Sequence, residues 1–310
     1  MTTSIIRTAD AWWVLVDGGA ARIDTTATTT SELLNDREAV EAATRATPGA
    51  VPRDLLSPVT APCRVVAQMT NYISHIKDSG MNPATVPMTF FRKTSHSISG
   101  PTGDIVRPAH VTLLDYEVEI GLVIGADVPV GTTITEADLP EYVAGLVVTN
   151  DVSARDLQLP KTQFFEGKSY PTFTPVGPRL VLLDAADWKR FGDLRLRTWV
   201  NGEVRQDSTV ADMLFKPVQT FSTLTGFQPL AAGDLLLTGT PGGTALKAPP
   251  KAIEMIGSLL PPAMKWKAFF KAQGKNPLYL QDGDTVELHI GTDDGALDLG
   301  RQANTVRRAG

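Results

Sequence analysis

The stretch from Leu114 to Gly125, LDYEVEIGLVIG, sets two carboxylates inside a run that otherwise reads as a buried β-strand. Side chains alternate along a strand, so Glu117 and Glu119 face the same side, roughly 7 Å apart. Like charges held side by side against an apolar run are costly unless something positive sits between them. A divalent cation meets that need. An E-x-E pair also suits the wet face of an antiparallel strand. Against that reading stand Ile120, Leu122, Val123 and Ile124, too apolar for a solvent-facing strand. A third acid, Asp151, ends the next apolar run, Val143 to Asn150, and completes an oxygen-only ligand set.

The chain of 310 residues has room for one large domain, or a small one and a large one. A hydrophobic fraction of 42% supplies a full core, and a formal net charge of -5 argues against nucleic acid as a partner. No apolar run reaches the roughly 18 residues of a membrane span. The start, Met1 to Asp10, lacks a basic region followed by an apolar core, so no secretory signal is expected. Cys63 is the one cysteine, which excludes an internal disulfide and points to a cytoplasmic setting. With no partner motif beside it, Cys63 reads as a small buried hydrophobe.

Ala11 to Asp24 reads as a hairpin turning at Asp17-Gly18-Gly19, and Ser31 to Ala46 as a helix stopped by Thr47-Pro48-Gly49. A proline-marked stretch places a boundary near residue 60, between a small α+β leader (1–60) and the main body (61–310). Beyond it strands dominate: Arg64–Met69, Thr89–Phe91, Glu117–Ile124, Leu146–Val148, Arg179–Leu183, Leu194–Val200, Asp234–Leu237 and Thr285–Ile290. One helix is expected over Glu136 to Tyr142, capped by Thr135 with Asp138 as its box partner. Residues 247–281 read as a helical insertion, with Ile253, Ile256 and Leu260 at helical spacing, then Met264, Trp266, Phe269 and Phe270 among lysines. The sum is an α+β, mostly β chain: a mixed β-sandwich or roll rather than a doubly wound sheet.

Three further segments carry chemistry. In NDVSARDLQ, Arg155 and Gln158 lie about one and two helical turns beyond Asp151, and both can face a substrate carboxylate, Arg155 as a two-pronged donor. Lys168, in GKSY, matters if the fold brings it to the acids. TGTPGG is not a phosphate-binding loop, because no Gly-Lys-Ser/Thr follows its glycines. In NYISHIKD, His75 and Asp78 share a helical face, where an aspartate on one ring nitrogen leaves the other free to take a proton from water. Each segment taken alone also reads as a surface turn or cap.

Taken in order, NYISH, FFRKTSHSISGPTGDIVRP, LDYEVEIGLVIG, NDVSARDLQ, GKSYPTFTPVGP, NGEVRQDST and GDLLLTGTPGG resemble the fumarylacetoacetate hydrolase family, in its acylpyruvate hydrolase and oxaloacetate decarboxylase-like branch. The match runs from about Asn71 to Gly243, with echoes at DGDTVELHI and Asn304-Thr305-Val306, and covers residues 1–60 only loosely. It implies the mixed β-sandwich roll, a homodimer, and a Mg²⁺ or Mn²⁺ site, with Ca²⁺ as a further candidate ion. The implied metal ligands are Glu117, Glu119 and Asp151. The implied His–acid dyad is His75 with Asp78, and Lys168 is the enolate-stabilising group. Arg155, Gln158 and Thr240 are the implied substrate contacts, with Arg92 and Tyr72 beside them. Four departures stand out: Asp78 where Glu is common, Arg92 where relatives carry Lys, GTPGGTA in the glycine loop, and the long 247–281 connection.

The activity so implied is metal-dependent hydrolysis of a carbon–carbon bond in a 1,3-dicarbonyl compound, an acylpyruvate or a fumarylacetoacetate-like substrate. The alternative is an oxo-acid decarboxylase, tautomerase, isomerase or hydratase using the same site. The expected partner is a small oxo acid or diketone, with neither nucleic acid nor a membrane.

Overall fold

A computed structural model describes residues 2–161, 163–249 and 261–310. The expected helix over Lys251 to Leu260, with Ile253 and Ile256, lies outside the described residues.

The centre is a nine-stranded mixed sheet in the order Gly19–Arg22, Trp12–Val16, Thr3–Arg7, Leu180–Leu182, Val143–Asn150, Val118–Ile124, Leu235–Leu237, Val65–Met69 and Thr89–Lys93. Only the pairing of Leu235–Leu237 with Val65–Met69 is parallel in it. A five-stranded sheet, Glu203–Thr209, Arg195–Val200, Thr285–Gly291, Asp298–Arg308 and Asp104–Arg107, packs on one face. Ile120, Leu122 and Val148 meet Leu196, Leu288 and Val306 between them. The helices Thr30–Asn35 and Arg37–Thr44 cover part of the other face, where Leu33 and Val40 pack with Val123, Val147 and Leu235. Covered on both faces, Val118–Ile124 is buried throughout, which is why it reads as one apolar run rather than an alternation.

Strand pairing joins the leader to the main body. Thr3 pairs with Leu182 and Ile5 with Leu180, so the sheet continues across the boundary expected near residue 60. The single helix expected over Ser31–Ala46 is two, broken at Asp36, whose carboxylate accepts from Thr25 Oγ1 at 2.5 Å. The helix expected from Glu136 shrinks to Leu139–Tyr142, because Asp138 turns back to accept from the Thr135 amide at 2.8 Å and its hydroxyl at 2.7 Å. Sequence periodicity also missed Glu203–Thr209, Asp298–Arg308 and the helix Pro217–Thr225. In the insertion, Pro262–Gln273 is helical, and Trp266 stacks on Phe270 with centroids 5.6 Å apart. No helix among the described residues is long and apolar enough to cross a membrane.

Candidate metal and active site

The two central strands bring the acids together. Val118 pairs with Asn150, and the register continues beyond the strand ends, where the Asp151 amide donates to the Glu117 carbonyl at 2.9 Å. Glu117, Glu119 and Asp151 therefore share the odd-numbered face of neighbouring strands, all three buried. One carboxylate oxygen from each lies within 4.8 Å of the others. That span suits ligands held at about 2.0–2.6 Å from a single hard cation.

Three cations surround the acids. Lys168 Nζ donates to Glu117 Oε2 at 2.7 Å and to Asp151 Oδ2 at 2.6 Å. Lys93 Nζ donates to Asp151 Oδ1 and, at 2.9 Å, to the Phe173 carbonyl. Arg155 donates through Nη2 to Glu117 Oε1 at 2.5 Å, through Nε to Asp115 Oδ2 at 2.8 Å and through Nη1 to Gln158 Oε1 at 2.8 Å. With Asp115 counted, four buried carboxylates face three buried cations. Glu119 bonds none of these cations; Oε2 accepts the Gly239 amide at 2.7 Å.

The charges sort accordingly. Burial pushes the Glu117 carboxyl up, but Lys168 and Arg155 outweigh it and hold the group below the usual carboxylate range. Burial, then the like charges of Asp151 and Glu117, push Glu119 well above that range. Burial works against the Lys168 ammonium, yet Asp151 and Glu117 hold it above the ordinary lysine value. Burial lowers Lys93 in spite of Asp151. Four buried carboxylates against three buried cations leave a deficit of positive charge that a divalent cation fits, and the donor set is all oxygen.

His75 stands on the short helix Ile73–Asp78, buried, with Nδ1 free of any hydrogen bond among the described residues. Burial, outweighing the Glu117 charge, lowers its pKa, so the ring is neutral at neutral pH. The helix is pinned by Asn71, whose Nδ2 donates to the Phe215 carbonyl at 3.0 Å and the Thr238 carbonyl at 2.9 Å. The expected dyad is not paired: Asp78 Oδ2 accepts the Gly243 amide at 3.2 Å, and its carbonyl accepts the Ala248 amide at 2.8 Å. The shorter aspartate serves the glycine turn and the strap that follows it rather than the imidazole.

The turn Thr238–Gly243 needs its glycines because other backbone and side chains press against it. A Cβ on Gly239, at φ +86°, would come within 2.8 Å of Asn71 Cβ, and one on Gly243, at φ +100°, within 2.2 Å of the Arg205 carbonyl. Thr240 Oγ1 is buried there and accepts from Gln206 Nε2 at 2.8 Å.

Arg92, an expected substrate contact, lies apart from the acid cluster. On the edge strand Thr89–Lys93 it points away from the acids, to Gln228 Oε1 at 3.1 Å, while Lys93 takes the inward position. Alternation along the strand turns Lys93, and not Arg92, to the acids. Arg92 instead lines a surface groove of about 610 Å³ with Phe90, Phe91, Phe164 and Phe227. Phe91 forms the wall between groove and site, its ring centroid 5.1 Å from Lys168 Nζ. Tyr72 is fully buried, its hydroxyl without a hydrogen-bond partner among the described residues and pushed well above its ordinary pKa by burial and then Glu119. Cys63 is half-buried rather than fully buried, and burial and then Asp234 push its thiol up to about 12.

The fumarylacetoacetate (FAA) hydrolase C-terminal profile matches residues 64–307. The chain belongs to the fumarylacetoacetate hydrolase family. A mitochondrial oxaloacetate tautomerase of Rattus norvegicus, Fahd2a, is 38% identical over 197 residues, covering 63% of this chain and 61% of the rat protein. The match thus spans less than two thirds of that relative. A fumarylacetoacetate hydrolase from Exiguobacterium antarcticum superposes at TM-score 0.72 with 28% identity, over the whole of both chains. A 5-carboxymethyl-2-hydroxymuconate delta-isomerase from Mycobacterium smegmatis does so at TM-score 0.67 with 25% identity, again over the whole of both chains.

Proposed function

We propose that this chain interconverts the enol and keto forms of a 2-oxo acid of the oxaloacetate type. The observation that carries the reading is the engagement of Asp78 with Gly243 while the buried His75 ring keeps an unpartnered nitrogen. A hydrolase must orient water, and among the described residues no carboxylate bonds the His75 ring for that task. A tautomerase needs only one group that takes and returns a proton. The name of the rat relative points the same way.

Glu117, Glu119 and Asp151 would hold Mg²⁺ or Mn²⁺. The ion would supply positive charge opposite the oxygens of the 2-oxo acid. In the keto-to-enol direction the C3–H bond breaks and its proton passes to neutral His75. The electron pair of that bond becomes the C2–C3 π bond, the C2=O π pair moves onto the C2 oxygen, and that oxygen takes the proton back from the protonated His75. The reverse transfer makes the ketone, and water is not consumed. Lys168 has three N–H donors and gives two to Glu117 and Asp151, so one remains for the oxygen that gains charge. Arg155 has five and gives three to Asp115, Glu117 and Gln158, so it braces Glu117 and keeps two for a substrate carboxylate.

The test is ketonisation of freshly dissolved enol oxaloacetate in D₂O, with Mn²⁺ present. The reading requires loss of the enol faster than in buffer, with deuterium at C3 of the ketone. No acceleration at any Mn²⁺ concentration would defeat it.

The hydrolytic reading is favoured by the likeness to the Exiguobacterium enzyme. It would cleave an acylpyruvate at the same site, and decarboxylation is a further outcome there. The homodimer stands as a proposal, read by light scattering. For localisation, the rat relative is named mitochondrial, so the cytoplasmic expectation is equally open to fractionation.

A further inference from the structure

Asp115 is completely buried, is not one of the three clustered acids, and makes four hydrogen bonds. Oδ1 accepts from the Ala245 amide at 2.8 Å and from the Tyr116 amide at 2.9 Å. Oδ2 accepts from Arg155 Nε at 2.8 Å and from the Leu246 amide at 3.1 Å. One carboxylate therefore joins two things that lie 90 residues apart in the chain, Arg155 and Ala245. The first is the guanidinium that braces Glu117. The second is the strap after Gly243, whose Ala248 amide bonds the last residue of the helix carrying His75.

The strap is held at other points too. Tyr116 Oη donates to the Gly243 carbonyl at 3.2 Å, and Ala248 donates to the Asp78 carbonyl at 2.8 Å. Asn276, just beyond the helix Pro262–Gln273, donates through Nδ2 to the Ala245 carbonyl at 2.9 Å. Ala245 is thus gripped on its N–H by Asp115 and on its carbonyl by the insertion.

We propose that Asp115 is a positioning residue that sets Arg155 against Glu117 for the divalent ion and, with the same carboxylate, holds the Ala245–Leu246 strap closed beside His75. Holding Nε leaves both Nη groups of Arg155 aimed away from Asp115, one to Glu117 and one to Gln158. Without the carboxylate, Arg155 would lose its fixed side and compete more freely with the ion for Glu117. Groups that orient a metal ligand are worth about 10–100-fold in affinity when removed. The ion-positioning half rests on the metal site proposed above; the strap half does not.

The experiment compares the unsubstituted protein with Asp115→Asn and Asp115→Ala in two measurements. Mn²⁺ affinity is read by electron paramagnetic resonance, and hydrogen exchange at the Ala245 and Leu246 amides is read without metal. Asp115→Asn keeps the shape and one acceptor oxygen, so it should weaken Mn²⁺ about 10-fold and raise strap exchange slightly. Asp115→Ala should weaken Mn²⁺ further and raise strap exchange at least as much as it raises exchange anywhere else. If neither variant folds, Arg155→Lys supplies the ion measurement and Tyr116→Phe the strap measurement, with losses expected in the same directions. Folded variants with unchanged Mn²⁺ affinity and unchanged strap exchange would overturn the proposal. Failure of the unsubstituted protein to bind Mn²⁺ would instead remove the metal reading, and strap exchange alone would then decide the role of Asp115.

Discussion

Asp78 gives its carboxylate to Gly243, whose amide nitrogen lies 3.2 Å from Oδ2, and leaves His75 on the same helical face without an acidic partner among the described residues. The contact divides the work of two residues that the sequence sets three apart. Asp78→Asn keeps an acceptor for Gly243 and should cost only a few-fold in ketonisation rate. An orienting dyad would instead lose about 10²–10⁴-fold, the usual range for acid–base partners. Steady-state kinetics of this variant separates the two.

His75→Ala removes the proposed proton carrier and should lower turnover by about 10²-fold or more while leaving Mn²⁺ affinity intact. Equal loss of both in a calorimetric titration would make the histidine structural.

Lys168→Met strips Glu117 and Asp151 of their shared ammonium. Removing one partner of a buried ion pair costs about 3–5 kcal/mol, so the metal-free protein should melt well below the parent. Saturating Mn²⁺ should restore part of that difference, because an ion bound only to the folded state stabilises it. Scanning calorimetry with and without the ion gives the answer, and a variant melting like the parent would refute the charge balance drawn for the site.

The raised pKa of Glu119 has a sign that can be measured. A carboxyl whose folded pKa exceeds its unfolded value stabilises the fold at low pH and loses that contribution as pH rises through the folded pKa. Metal-free protein should therefore lose stability as pH climbs above the ordinary carboxylate range, and Glu119→Gln should flatten this slope. Mn²⁺ binding should in turn release a proton, measured by calorimetry in buffers of different ionisation enthalpy. A parent and Glu119→Gln with identical slopes would show that Glu119 is ionised without the ion.

Much of the fold and of the acid cluster could be read from residue types. Glu117, Glu119 and Asp151 announced themselves because charges in an apolar run need an explanation, and the strands around them were legible from β-branched runs. Lys93 was obscured by its neighbour, since FFRK offers two cations and only the alternation of the edge strand says which one turns inward. Asp115 lay in plain view within LDYE, yet its role depends on the Ala245 and Leu246 amides, whose proximity no local pattern encodes. The same holds for Asp78: spacing placed it on the face of His75, but tertiary packing delivered a glycine amide to it first. The leader looked separate because its boundary is proline-rich, while strand pairing with Leu180–Leu182 is a long-range fact.

The most direct measurement runs the parent with Mn²⁺ on two substrates in ¹⁸O-water: enol oxaloacetate and a short acylpyruvate. A proton-transfer site predicts rapid ketonisation of the first, and from the second no cleavage and no ¹⁸O-labelled carboxylic acid. Cleavage of the acylpyruvate with ¹⁸O in the released acid, at a rate matching or exceeding ketonisation, would contradict it and make the site a hydrolase.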